Sequence, residues 1–400
     1  MIDYYEIASP LSENTKELKT RFIAALTKEL GEEMRRVPLE TYLSDHFALL
    51  YVASGGSEAY FLEVFEALKQ RPCYLLTSGD ANSLAASMEI LSYLNAHGGR
   101  GEILHGDLSE VSARIRALSA AYRAKESLSG QKLGLIGAPS DWLISSEYSA
   151  EAVRKAIGTE LVEIPMEELV AEIKANHYES DAYTDRFLSA DFPGEEAEKA
   201  LAVYGAFSRL VSKYGLSGLT VRCFDLLSSV HTTGCLGLSI LNDRLIAGGC
   251  EGDVPSLLSM AILQALTGEP VFMCNPSRFD TKAGTALFAH CTVPTSILDR
   301  YTLNTHFESG IGAAVQGVFK EGDCTVFKTD GFLSRYHVQE GQILPNTYSD
   351  ALCRTQVLTK LPDLTYFLTN PIHNHHILCR GAHSAEVKAF FELVRNDSAA

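Results

Sequence analysis

The chain has 400 residues, 21% charged and 46% hydrophobic, a globular composition long enough for two or three domains. Its formal net charge of −16 repels nucleic acid and anionic membrane surfaces, and no basic block offers a local exception. No apolar run reaches the roughly 20 residues that span a bilayer. The first residues lack a secretory signal's basic start and apolar core, and the nine scattered cysteines have no CxxC spacing and read as reduced. A cytoplasmic protein is expected.

In the first third, short β-rich runs alternate with helical ones. HFALLYVA (46–53) reads as a strand, AYFLEVFEALKQ (59–70) as an amphipathic helix and PCYLLTS (72–78) as the next strand. ANSLAASMEILSYLNAHGG (81–99) is a helix closed by glycine, GEILHG a short strand, and 108–128 a charged helix. A second series begins with KLGLIG as a strand, SSEYSAEAVRKAIG as a capped helix, ELVEIP as a strand and MEELVAEIKAN as a helix. A polar stretch (177–195) precedes a long helix, the strand LTVRCFD (219–225), LIAGGCE, the helix DVPSLLSMAILQALTG and the strand PVFMCN (270–275). Alternation at this spacing predicts βαβ units, and the continuous apolar strands suit parallel sheets buried on both faces. From about residue 283, short strands separated by Gly, Asp and Asn turns predict an antiparallel, barrel-like domain. The predicted fold is therefore α/β: two doubly wound parallel-sheet domains (1–130 and 131–282) followed by a C-terminal antiparallel β domain (283–400).

No phosphate-cradling glycine motif is present; GGSEAYF (55–61) is too short and wrongly spaced. The polar groups at predicted strand ends are more informative. In LIAGGCEGDVPSLLSM (245–260), Asp253 is placed to cap the following helix, with Pro255 in its first turn. Glu251 stands before the cap, on the sheet edge where ligands bind in open α/β folds, and Gly249 and Gly252 leave room for an approach. A lone glutamate there is also readily explained as a solvated or dipole-linked side chain. Asn275 ends PVFMCN, with Arg278 and Asp280 just beyond, and His290 lies in an apolar strand where a core role would serve equally. NPIHNHHILCRG gathers His373, His375 and His376, which read either as a metal or proton-transfer site or as a His-rich turn. Glutamate, asparagine and histidine at element ends form an oxygen and nitrogen donor set suited to Mn²⁺, Co²⁺ or Mg²⁺ rather than structural zinc. A regular pleat would turn Cys250 and Cys291 to the opposite strand faces, so they are not counted as ligands.

The ordered set EGD (251–253), a polar strand end at 275, AHC (289–291), HFESGIGAAVQG (306–317) and NHHIL (374–378) resembles the L-fucose isomerase and L-arabinose isomerase superfamily, most closely its shorter fucose isomerase-like members. The resemblance covers roughly residues 130–400. It implies two α/β domains and a β-barrel-like domain, a homo-oligomer (hexamer, tetramer or dimer), a small-molecule sugar substrate, bound Mn²⁺, and interconversion of an aldose and a ketose through a cis-enediol. Glu251 matches the glutamate that binds metal and transfers the proton, and His375 or His376 matches the C-terminal metal ligand. His290 matches a histidine that is a ligand in the arabinose branch. Asn275 falls where those isomerases have Asp or Glu; it can ligate through its carbonyl oxygen but cannot act as a base. The less negative site, with Arg278 three residues on, would favour an anionic sugar such as the sulfonated substrate of sulfoquinovose isomerases. A sugar- or metal-binding homologue without catalysis is the alternative that Asn275 raises.

Overall fold

A computed structural model describes residues 1–10, 15–44, 46–69, 71–345 and 348–397. Its contacts divide the chain into two compact units, Met1–Tyr122 and Arg123–Ala400, the boundary falling within the helix Leu108–Leu128. Among the described residues, no helix is long and apolar enough to cross a membrane.

The first unit is built on five parallel strands: β1 (Ile2–Ile7), β2 (Met34–Arg36), β3 (Ala48–Val52), β4 (Pro72–Leu76) and β5 (Arg100–Leu104). Their spatial order is β2-β1-β3-β4-β5. The runs read from the sequence supply β3, β4 and β5. β1 is not among them, because Asp3 and Glu6 interrupt its apolar pattern. Both are satisfied locally: Asp3 is buried and accepts from Arg35 at 2.8 Å, and Glu6 lies 3.4 Å from Lys19 Nζ.

In the second unit, β6 (Lys132–Ile136), β7 (Glu160–Ile164), β8 (Gly218–Val221) and β9 (Ala247–Gly249) form a parallel sheet in the order β7-β6-β8-β9. The rest of the chain is antiparallel: β10 (Phe272–Asp280), β11 (Thr285–His290), β12 (Leu298–Asn304), β13 (Ala314–Phe319), β14 (Gly322–Thr329), β15 (Tyr336–Leu344), β16 (Thr355–Lys360) and β17 (His376–Arg380). Six of these strands close into a ring in the order β10-β11-β16-β15-β14-β17, while β12 and β13 pair separately. The fold is thus the expected succession of parallel α/β layers and an antiparallel barrel-like layer.

One strand changes layer. PVFMCN, read as a further strand of the second parallel sheet, begins β10, which runs antiparallel to both β11 and β17. Phe272, Met273 and Cys274 are fully buried in that setting. An apolar run reports burial on both faces but does not distinguish a central parallel strand from a ring strand covered by a helix. β10 then passes through Pro276 with a register shift before Arg278, a usual place for proline in a strand.

Two helices join the sheet to the ring. The helix Val254–Thr267 is buried on nearly every side, as expected of a helix packed between layers, and it contacts β9, β14 and β17. All nine residues of the helix Cys235–Asp243 are buried. Its Asn242 accepts from Gly248 N–H at 2.8 Å and donates to the carbonyls of Gly248 (3.1 Å) and Thr292 (3.4 Å). The next residue, Asp243, accepts from the backbone N–H groups of Thr295 and Ser296. One turn of helix therefore ties the edge strand β9 to the segment that follows β11. Replacing Asn242 by Leu leaves those backbone groups without partners, and such losses cost about 1–3 kcal/mol each. Asn242→Leu is expected to lower the urea midpoint with the slope unchanged, read by circular dichroism.

Candidate functional site

The site forms where β9 ends and the buried helix begins. After Gly249 the backbone turns sharply: Glu251 has φ 62° and Gly252 φ 69°, both left-handed. Such a conformation costs a non-glycine residue about 1–2 kcal/mol. Glycine at 252 has a second reason, since a Cβ there would stand 2.7 Å from the Ala138 carbonyl oxygen. The turn is anchored by Ser140 N–H donating to the Glu251 carbonyl at 2.9 Å. It also breaks the pleat, so that Cys250 and Glu251 line one cavity; Cys291, beyond the end of β11, lines it too. This corrects the expectation that both thiols face away.

The Glu251 side chain is 13% exposed. Its Oε2 accepts from Trp142 Nε1–H at 2.6 Å, and its Oε1 lies 3.4 Å from His375 Nε2. His375 is fully buried; its Nδ1–H donates to Asp253 Oδ2 at 2.8 Å, and its Nε2 has no hydrogen-bond partner of normal geometry. Asp253 does cap the helix, its Oδ1 accepting from Ser256 N–H at 2.8 Å, but its second oxygen holds His375. With Nδ1 engaged as a donor, Nε2 is the nitrogen turned toward Glu251 and the one that can ligate a metal once it gives up its proton. His290 completes the group, its ring centroid 5.5 Å from that of His375. One donor atom from each of Glu251, His290 and His375 lies within 4.8 Å of the others.

The electrostatics follow from burial and proximity. Burial alone would raise the pKa of Glu251, but the close approach and charge of His375, the charge of His290 and the Trp142 hydrogen bond bring it down to about 2. Burial opposes the charged form of His375, yet its hydrogen bond to Asp253, the close approach of Glu251 and the charges of both carboxylates raise it to about 9. Burial, then the charge of His375, lowers His290 to about 4. A proton on His375 thus stands where a cation would bind. One carboxylate and two imidazoles, one with an orphaned buried nitrogen, fit a divalent ion of borderline hardness.

The other residues singled out in the sequence divide. Asn275 lines the same cavity, paired across the sheet with Ala289, and its side-chain oxygen accepts from Asn374 at 3.3 Å. His376 is also buried but faces the other side of β17. Its Nε2 pairs with the Tyr366 hydroxyl and its Nδ1 with the Asn374 carbonyl, each at 3.0 Å. Of the two neighbouring histidines, the period-2 alternation of a strand brings only His375 to Glu251. Arg278 is exposed, donates to Ser349 Oγ at 3.3 Å and is not among the residues lining the cavity.

Four groups near the site escape the sequence reading. Trp142 is brought in by a loop 109 residues from Glu251. His306 and Glu308 line the cavity from the HFESG stretch, a motif whose spacing does not separate their roles. Lys328 is fully buried beside Asp253. Five cysteines also line the cavity, with Cys223 Sγ and Cys250 Sγ 2.9 Å apart. The cavity is small, about 50 Å³. A larger one, about 930 Å³, lies in the first unit beside Glu6, Lys16, Lys19 and Arg36, and two of these cations, Lys19 and Arg36, already face the Glu6 carboxylate.

Fold and site together define an α/β protein with a glutamate–histidine–histidine cluster at a strand end, suited to a divalent metal. No family model matches the sequence. It is similar to the sulfoquinovose isomerase of Clostridium sp. (strain MSTE9), 35% identical over 109 residues, which are 27% of this chain and 24% of that protein. It is also similar to the sulfoquinovose isomerase of Alkalicoccus urumqiensis, 20% identical over 261 residues, 62% of this chain and 59% of that one. The matches thus span about a quarter and three fifths of the length of these relatives.

A pH dependence follows for the metal-free protein. His375, raised from 6.5 to about 9, contributes stability that is fully present below about pH 6.5 and lost as the pH rises through 9. Glu251, depressed from 4.5 to about 2, contributes stability that is lost as the pH falls through that range. Thermal melts in chelator are expected to show a falling midpoint between pH 6.5 and 9, and His375→Gln is expected to flatten that limb. An unchanged limb in the variant would assign the loss to other groups.

Proposed function

We propose that this protein is a divalent-metal-dependent isomerase that interconverts an aldose and a ketose through a cis-enediol, and that its sugar carries a sulfonate. The convergence of Glu251, His290 and His375 supports the chemistry, and the names of the two relatives supply the sugar, sulfoquinovose. Mn²⁺ is the expected ion, with Co²⁺ next; two imidazoles make Mg²⁺ the poorest fit.

Each residue has a role in this reading. His290 and His375 hold the ion together with Glu251. When bound, the ion supplies polarisation of the sugar's carbonyl and hydroxyl oxygens. Glu251, ionised and oriented by Trp142, takes the proton from C2 and returns it to C1. Asn275 offers an amide to a sugar hydroxyl or to the ion and takes no part in proton transfer. His306 and Glu308, on the same cavity, are the side chains able to pass a proton to or from the sugar oxygens. Among the described residues, no lysine or arginine lines the cavity, so the sulfonate end of the sugar is expected at its rim. A homo-oligomer (dimer, tetramer or hexamer) and a cytoplasmic location belong to this reading.

Incubation of the Mn²⁺-loaded protein with sulfoquinovose in D₂O is expected to give the ketose with deuterium at C1 and to wash deuterium into C2 of the recovered aldose, with glucose, L-fucose and L-arabinose slower. Glu251→Gln is expected to lower the rate by about 10²–10⁴-fold, the usual loss of a positioned base. Absence of C2 exchange in every sugar would refute the isomerase reading. Asn275 favours a second reading, a sugar- or metal-binding protein without catalysis. Stoichiometric Mn²⁺ and sugar binding without exchange would support that one.

A further inference from the structure

Lys328 lies on β14 and has no exposed surface. Its Nζ donates to Ser256 Oγ at 2.6 Å and stands 3.7 Å from Asp253 Oδ2. Ser256 Oγ donates in turn to the same Asp253 oxygen at 2.7 Å. That oxygen also accepts from His375 Nδ1–H at 2.8 Å. A lysine is rarely buried completely, because an ammonium removed from water must recover its solvation from a paired anion and hydrogen bonds. Capping a helix does not call for such a cation. At the helix Ala182–Leu188, Asp181 caps through Oδ1 as Asp253 does, but the cation on its other oxygen, Arg244, is partly exposed rather than buried. Two features set Asp253 apart: it is fully buried, and it holds His375.

We propose that Lys328 is a positioning residue for the metal centre, fixing the Asp253 carboxylate so that His375 presents Nε2 toward Glu251 and His290. The inference rests on the reading that these three residues bind a divalent ion. The path runs from β14 of the ring, through the first turn of the buried helix, to the residue just before β17. It sets the ring's interior charge against the site at the end of the parallel sheet. Ser256 keeps Lys328 and Asp253 in one arrangement by bonding to both, and Thr329 N–H, donating to Ser259 Oγ at 3.0 Å, keeps β14 in register with the helix.

The test measures Mn²⁺ affinity by calorimetry in three folded proteins: wild type, Lys328→Met, and the double variant Lys328→Met/Asp253→Asn. Lys328→Met is expected to weaken Mn²⁺ binding by about 10–100-fold, the range found when an outer partner of a ligand is removed. The double variant, which removes both buried charges, is expected to recover the melting temperature but not the affinity. It remains informative if Lys328→Met alone fails to fold. ¹⁵N spectra of metal-free wild type are expected to show His375 protonated at Nδ1, and the variants a shifted or broadened signal. Wild-type affinity in either variant overturns the role of Lys328 while leaving the metal reading intact. Failure of the wild type itself to bind Mn²⁺, Co²⁺ or Mg²⁺ overturns both.

Discussion

The carboxylate of Asp253 satisfies two demands at once. One oxygen starts the helix that fills the space between sheet and ring, and the other fixes the imidazole of His375. A site atom and a folding element therefore share one fully buried group. The geometry leaves little freedom: shifting the helix along its axis would move the cap, the histidine and the buried lysine together. The left-handed turn at Glu251 and Gly252 is the companion constraint, since it lets a residue just before the cap face the same histidine.

Much of the fold is legible in the sequence because burial on both faces leaves a clear trace. β3, β4, β6 and β8 are apolar runs between helical segments, and the change to short, turn-separated strands marks the ring. What hydropathy misses is satisfied polarity. β1 hides because Asp3 and Glu6 are paired by residues distant in sequence. The layer of β10 is not encoded in its own residues, which are as apolar as those of a parallel strand, but in its partners β11 and β17.

The site follows the same division. Glu251, Asn275, His290 and the NHH stretch stand out because polar residues interrupt apolar strands at their ends. Choosing between His375 and His376 needs the strand's register, and the structure places them on opposite faces. Trp142, Lys328 and the cavity cysteines are invisible to spacing arguments, since each reaches the cavity or its surroundings through contacts far along the chain or through a break in the pleat. The chemistry left at Asn275 is that of an amide with no negative charge, in a cavity where Glu251 and Glu308 are the carboxylates. The proton-exchanging side chains left on the cavity are Glu251, Glu308, the histidines and the cysteines.

Ring closure has a bearing on how this chain meets other copies. β10, β11, β14, β15, β16 and β17 each have a neighbour on both sides, so rows of backbone groups without a strand partner are confined to parts of the ring, such as β10 beyond Cys274 on its β17 side and β15 before Gln342 on its β16 side. Within the second unit such rows remain on β7 and β9 and in the two-stranded ladder of β12 and β13. Where the ring strands are paired on both sides, self-association would have to rest on side-chain surfaces, whose fit is set residue by residue, rather than on strand addition, which accepts almost any extended segment.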